Sequence, residues 1–541
     1  MSAPRAVTAA PRARATALPR ALVVALPRAL VVAPPLALVA LGVLAPAAAL
    51  VTRAATTEAW SRVLGDAETW RLVAVTAAQA AASTLLALAI GTPVAALLAH
   101  RRFPGRRAVR AAVTLPFVLP TVVVGAAFAG LVPAAWRASW TPVVLAHAWY
   151  NAGLVARIVA VRWEAIHPWI DDAARTLGAG PAARAASIAL PLLRPALASA
   201  ASITFVLCFA SYGVVRVLGG PALATLETEV AFRAFVLGDV PGAIVVAALQ
   251  LALLAALVAF VAPAVAGRRG ARTSPPRAVV SRARAARDAR ERLAVAIGTA
   301  GAVALVAVPL AALATASLRV GSTPSLAGWR ALADPQVRDA VGVSLRNAAL
   351  AAALATAAGL SAASAVARAR RPWLDVVASL PALVSAVTIG LGLAVGAATL
   401  PRPMRGAWWL VPLAHATVAL PLAVRVLVPA ARGVPAGVRD AARTLGASGA
   451  RLWWTVDRPL LARATAAAAA LAACTSLGEF GASSLLVRRG SEPLPLLVER
   501  LLGRAGDALR AQGFALAVLL AATCLVAILT IDGADARGGR P

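Results

Sequence analysis

The sequence predicts an all-α polytopic membrane protein of about twelve transmembrane helices in two parallel six-helix repeats. Three observations predict it. Hydrophobic residues make up 60% of the 541 residues and charged residues only 14%, where a soluble protein carries about 25% charged residues. Apolar stretches long enough to cross a bilayer recur along the whole chain. The octapeptide DAARTLGA, from Asp172 to Ala179, returns unchanged from Asp440 to Ala447.

A helix rises about 1.5 Å per residue, so crossing a hydrocarbon layer of about 30 Å takes about 20 apolar residues. By that measure the first half holds spans at 29–51, 72–99, 110–132, 142–161, 196–218 and 242–266. The second half holds spans at 293–316, 343–367, 374–399, 409–430, 464–487 and 512–531. The first is disturbed by Arg28, Pro34 and Pro35. Residues 1–20 carry Arg5, Arg12, Arg14 and Arg20 and no acid, and residues 1–28 read as a cytoplasmic N-terminus ahead of an uncleaved span rather than a signal peptide.

Loop charge orients these spans. Residues 100–110 read HRRFPGRRAVR, and Arg368, Arg370 and Arg371 follow the eighth span. The segment 267–292 is a basic linker, opened by Arg268 and Arg269, broken by Ser274-Pro275-Pro276 and continued by Arg277, Arg282, Arg284, Arg287, Arg290 and Arg292. The alternate loops hold Glu58, Asp66, Glu68, Glu227, Glu229 and Asp239. Arginine-rich loops stay inside, so both termini are expected in the cytoplasm of a multi-pass plasma (inner) membrane protein. The divisions are then 1–28, a first repeat 29–266, the linker 267–292, a second repeat 293–531 and a tail 532–541.

The same pattern excludes other classes. The formal net charge of +31 is gathered in short segments between apolar runs, which suits contact with membrane lipid and not nucleic acid. Cys208, Cys474 and Cys524 lie in apolar runs without metal-ligand spacing, so no metal site, disulfide framework or cofactor is expected. A secondary transporter or channel would place coupling acids in several spans, and a membrane enzyme would cluster acids or ligands at one face. Few such acids fall in the spans, which leaves a non-ABC secondary transporter as the lesser alternative, and no such cluster appears.

The repeat extends beyond the octapeptide. An offset of 268 also pairs Leu145-Ala146-His147-Ala148 with Leu413-Ala414-His415-Ala416, Arg157 with Arg425, Pro191-Leu192-Leu193 with Pro459-Leu460-Leu461, and Gly213 with Gly481. Alanine bias does not align a His, an Arg, a Gly and a Pro in one register, so the chain is an internal duplication. Each repeat has an even number of spans, so equivalent loops face the same side. Both DAARTLGA loops fall on the arginine-rich side.

The residues of these loops suit a docking element. Asp171 and Asp172 follow Pro168 at a helix start, where carboxylates meet the positive helix end. Ala173 and Ala174 let another surface approach, and Gly178 can end the helix in a left-handed conformation. A second short helix is expected to run to Pro191. The first loop reads Asp172-Ala173-Ala174, Gly178, Ile188, Leu190-Pro191, and the second Asp440-Ala441-Ala442, Gly446, Val456, Arg458-Pro459. This resembles the EAA signature of ABC importer permeases, with Asp for the usual Glu and, in the second copy, Val for Ile and Arg for Leu. The resemblance implies docking of an ABC ATPase subunit on each loop, two copies in all, and delivery of cargo by an extracytoplasmic substrate-binding protein. The chain has no lysine, and a P-loop needs one, so the ATPase is a separate polypeptide and this subunit is not an enzyme.

Fused two-repeat chains of this kind resemble the thiamine and ferric-iron permeases. Segments such as LCFASYG, ending at Gly213, and LGGPALATLETEV, ending at Val230, resemble the thiamine branch more, so thiamine is the expected cargo and ferric iron the alternative. Glu479 falls within the eleventh expected span, beside Phe480, and its repeat equivalent Ser211 stands beside Tyr212. An intramembrane acid with aromatic neighbours suits a cationic cargo, and pairing with an arginine or with backbone at a broken helix near Gly478 and Gly481 is the competing account. His147 and His415 lack recurring ligand partners and read as structural hydrogen-bonding groups.

Overall fold

The computed structural model describes residues 32–54, 58–136, 139–220, 222–266, 283–286, 288–368, 373–488 and 490–538. The expected N-terminus 1–28, linker residues 267–282, and Arg370 and Arg371 lie outside them.

The first repeat comprises α1 (Val32–Ala54), α2 (Ala67–His100), the pair α3 (Arg106–Val118) and α4 (Thr121–Leu131), α5 (Trp140–Glu164), α6 (Pro168–Thr176), α7 (Ala182–Phe209), α8 (Gly213–Gly219), α9 (Leu226–Phe235) and α10 (Val240–Val261). The second follows the same order: α11 (Ala289–Ser317), α12 (Pro335–Arg368), the pair α13 (Trp373–Leu383) and α14 (Ala386–Ala397), α15 (Leu410–Gly433), α16 (Ala436–Thr444), α17 (Gly449–Gly478), α18 (Gly481–Leu486), α19 (Leu494–Gly503) and α20 (Asp507–Gly538). Among the described residues ten helices are long and apolar enough to cross a membrane, and twelve crossings result if each bent pair counts as one.

Four expected spans are broken. The third and ninth bend by 101° and 91°. In the third, Pro116 and Pro120 bracket the bend and lack the N–H that would continue the helix. In the ninth, Pro381 opens the turn and Ser385 Oγ accepts the Thr388 N–H at 3.1 Å to start α14. The fifth and eleventh stop at Phe209 and Gly478 and restart at Gly213 and Gly481. Glu479 therefore lies in the break after α17, not inside a span. Helix α11 begins at Ala289, inside the expected linker, with Asp288 accepting the Glu291 N–H at 2.7 Å. Helix α20 continues to Gly538, into the expected tail.

The duplication reappears in three dimensions. Thr76 Oγ1 accepts the Leu226 N–H at 3.1 Å and Ser344 Oγ accepts the Leu494 N–H at 2.7 Å. The two pairs are related by the offset of 268, and each fixes the start of a short helix against the second long helix of its repeat.

The repeats are not separate packing units. Leu38, Val39 and Val43 of α1 share a core with Ala416, Leu420 and Ala423 of the second repeat. A Cβ on Gly392 would sit 2.6 Å from Pro46 Cβ, so α1 and α14 touch backbone to side chain. Conversely, Leu313 of α11 lies in one core with Val122, Val123 and Phe128 of α4, and Ala302 and Val306 pack with Val109 and Val113 of α3. Trp149 Nε1 of α5 donates to the Leu305 carbonyl of α11 at 2.6 Å. Each repeat's first helix thus covers the other repeat's bent pair.

Replacing Thr76 by Val, or Ser344 by Ala, leaves a buried N–H without its acceptor. Each change is expected to cost about 1–3 kcal/mol, read as a lower melting temperature in detergent, and the double variant should lose about the sum.

Candidate functional site

Two parts of the structure carry chemistry: the axis where the repeats meet, and the two DAARTLGA hairpins.

At the axis, Tyr212 and Phe480 stack with ring centroids 5.1 Å apart and planes at 27°. They are repeat equivalents, so their contact places the pseudo-two-fold axis between the rings. Gly478 allows the repeats this proximity, since its Cβ would lie 3.0 Å from Pro120 Cα. Nearby, Arg216 of α8 pairs with Glu499 of α19 at 3.0 Å, an ion pair between the repeats.

The breaks on either side of the stack are chemically unequal. Glu479 is buried, and its Oε1 accepts the Ala482 N–H at 3.1 Å, capping α18. That is the backbone-pairing account of this acid, and it places the carboxylate one residue from the axis. Ser211 instead bonds His147 Nε2 at 2.8 Å. His415 takes Ser476 at 2.7 Å and Ser483 at 2.9 Å. Both histidines hold the breaks of their own repeat against the neighbouring span. Of the four expected pathway residues, Tyr212 and Phe480 meet directly, Glu479 adjoins them, and Ser211 is engaged by His147.

The structure adds Glu227. Sequence placed it in an outer loop by its polar surroundings, yet it is 1% exposed and hydrogen-bonded to Gln250. The Ser385 hydroxyl and Val387 N–H of the second repeat face it, and Glu479 is close enough to act on its charge. No pattern in the sequence distinguishes it from Glu229 two residues on.

The hairpins are built alike. Pro168 opens α6 and His167 precedes it as cap. The helix ends in a left-handed glycine, with φ 78° at Gly178 and 81° at Gly446. Gly178 donates to Arg175 O and Ala179 to Ala174 O, both at 3.0 Å, and Gly446 and Ala447 repeat the pattern at 2.9 Å. A side chain at either glycine would meet nothing within 4 Å, so positive φ alone imposes glycine.

The expected second short helix does not end at Pro191. It passes through a π-turn at Ala185–Ala189 straight into the rest of α7, and Trp453–Asp457 does the same in α17. The widened turn gives room to the ring of Pro191 or Pro459, which in an α-turn presses on the carbonyl four residues back.

Within each hairpin the signature residues divide. Asp172, Ala173, Asp440 and Ala441 face outward, while Ala174 is buried. Val456 packs with Leu452, Ala447 and Ala442, and so holds the second hairpin together. Ile188 is half-buried at the equivalent place. Leu177 and Leu445 are 86% and 84% exposed at the two tips. They stand inside the repeated octapeptide, so their recurrence was the available signal.

The hairpins are latched with opposite polarity. In the first, Asp171 on α6 binds Arg184 at 3.0 Å and Arg175 at 3.1 Å, all partly exposed. In the second, Arg439 replaces Asp171 and binds Asp457 at 2.8 Å, with the Asp457 side chain fully buried. Arg458, the departure from leucine, lies over the Trp454 ring at 4.6 Å.

Paired hairpins at the ends of two long spans, with an axis between repeat-equivalent breaks, define a two-repeat membrane permease. Residues 91–271 match the family described as binding-protein-dependent transport system inner membrane component. The chain is similar to the thiamine transport system permease protein of Brucella abortus (strain 2308), 30% identical over 497 residues, covering 87% of this chain and 89% of that protein. It is similar at 26% to the corresponding permease of Salmonella typhimurium, over 88% and 91% of the two chains. A probable ABC transporter permease protein of Sinorhizobium fredii is 25% identical over 79% of this chain and 80% of its own. The chain belongs to the inner-membrane permeases of binding-protein-dependent ABC importers. As such it is a multi-pass transport subunit, not an enzyme, and it works with an ATPase and a substrate-binding protein.

Removing Arg439 takes the guanidinium from a fully buried carboxylate, whereas removing Asp171 leaves arginines that water can reach. Arg439→Gln is therefore expected to lower stability more than Asp171→Asn, which should cost less than about 1 kcal/mol. Thermal melts of the two purified variants should separate accordingly.

Proposed function

We propose that this permease carries thiamine into the cell, that each hairpin seats one ATPase subunit, and that the pathway opens at the Tyr212–Phe480 axis. The observation that carries the docking reading is the pair of nearly fully exposed leucines, Leu177 and Leu445, at equivalent tips. An apolar side chain left in water at the same place in both repeats suits a groove on a partner. Asp172, Gly178, Ile188, Pro191 and their counterparts Asp440, Gly446, Val456 and Pro459 then shape the hairpin, while Ala173 and Ala441 allow close approach. Two hairpins imply two ATPase copies. The arginine-rich loops on the hairpins' side support a cytoplasmic position for the hairpins and both termini.

The cargo reading is supported by the thiamine permeases that align with about nine-tenths of this chain. Thiamine is an aromatic cation, and the axis offers it two aromatic rings with the Glu479 carboxylate beside them. The divisions at 29–266 and 293–531 mark the sequence repeats of this pathway, with the exchanged first helices joining them.

The test is ATP-dependent uptake of labelled thiamine in cells expressing this chain with its ATPase and binding protein. Uptake that survives loss of the ATPase, or uptake of ferric iron and not thiamine, contradicts the proposal. Leu177→Asp and Leu445→Asp are each expected to reduce co-purification of the ATPase at least about tenfold, as expected for a lost apolar anchor. Glu479→Gln keeps an oxygen for the Ala482 N–H and removes the charge, so uptake should fall while expression and melting temperature hold.

A further inference from the structure

A cavity of about 670 Å³ lies beneath the first hairpin. Its basic wall is formed by Arg101, Arg175, Arg184 and Arg284, and its apolar wall includes Leu97 of α2 and Val295 of α11. Three parts of the chain meet there: the end of α2, the hairpin, and the last residues before α11. That last stretch is pinned by backbone hydrogen bonds, Arg102 N–H to Arg284 O at 2.9 Å and Arg284 N–H to His100 O at 3.0 Å.

The carboxylates around the cavity are shared. Asp171 serves both Arg175 at 3.1 Å and Arg184 at 3.0 Å. Glu291 serves both Arg101 at 2.8 Å and Arg284 at 3.3 Å. Asp172 is a third acid on the lining. Four guanidiniums thus outnumber the acids near them, and each guanidinium brings five N–H donors in a planar fork. Trp163 also lines the cavity, set edge-on to His100 at 5.0 Å, which is the kind of ring that sits at a membrane–water boundary.

We propose that this cavity binds the phosphate-bearing headgroup of an anionic phospholipid. The arginines supply charge-assisted donors to the phosphate, and basic pockets between spans at the headgroup level are suited to this. The apolar wall on two membrane-crossing helices selects a lipid over free phosphate, because it gives an acyl chain a surface to follow. The volume is that of an ordinary small-ligand site. The second hairpin lacks the equivalent chemistry: Leu452 stands in the place of Arg184 and Arg439 in that of Asp171. One lipid per chain is therefore held, on the first hairpin only, tying it to the linker end and to the bilayer. The assignment to the cytoplasmic leaflet rests on the proposed orientation; the binding does not.

The test is native mass spectrometry of the full-length chain released from mixed phosphatidylglycerol and phosphatidylcholine. One phosphatidylglycerol should be retained in preference to phosphatidylcholine. Arg101→Gln with Arg284→Gln should lower that retention at least about tenfold, given the contribution of each basic residue to anionic-lipid binding. Arg101→Lys with Arg284→Lys, which keeps the charge, should retain most of it and serves as the control for folding. Equal retention of the two lipids, or wild-type retention by the glutamine variant, overturns the proposal. Complete displacement by inorganic phosphate alone also overturns it, because the site would then take a free anion.

Discussion

An exchange of first helices joins the two repeats. Each bent pair is a broken span whose flank must be covered, and the cover comes from the opposite repeat: α1 on α14, α11 on α3 and α4. Apolar contact of this kind has little hydrophobic drive in lipid, where close packing supplies the attraction. Small residues meet that requirement, as where Gly392 receives Pro46. The consequence is that the repeats cannot separate as independent bundles. In the proposed transport cycle the joined repeats would pivot about the Tyr212–Phe480 contact.

The unbroken course of α7 and α17 gives that pivot a handle. From Ala182 to Phe209 the chain runs as one helix of 28 residues, roughly 40 Å at about 1.5 Å per residue. One end is the hairpin, and the other is the break that carries Ser211 and Tyr212. In the second repeat the same helix ends at Glu479 and Phe480. In the proposed docking, a displacement of a hairpin would reach the axis along one continuous helix. The two handles are not equally firm, since the second is locked by a buried ion pair and the first by pairs that water can reach.

Much of this was legible in the sequence, and the exceptions have physical causes. The all-α class, the repeat and the left-handed Gly178 follow from apolar length, register and backbone sterics, which are local properties. The breaks were harder. A window of apolar residues does not register that Pro116 and Pro120 bend the chain by about a right angle, and the break at Gly478 and Glu479 was raised only by the glycines beside the acid. Hydropathy likewise read Glu227 as an outer-loop acid, because its burial is made by Gln250 and by the second repeat, far away in sequence. The charge-reversed latch was visible only as two unlike residues, Asp171 and Arg439, until their partners Arg184 and Asp457 were located. The helix exchange has no signature in either repeat alone.

The central claim is that cargo passes where the repeats meet, by parting Tyr212 from Phe480. The most direct measurement introduces Tyr212→Cys and Phe480→Cys into a variant with the native cysteines replaced, and joins them with a short bifunctional thiol reagent. ATP-driven uptake by the assembled importer is expected to stop on crosslinking and to return when a cleavable linker is cut. Uptake that continues in the fully crosslinked protein would contradict the account.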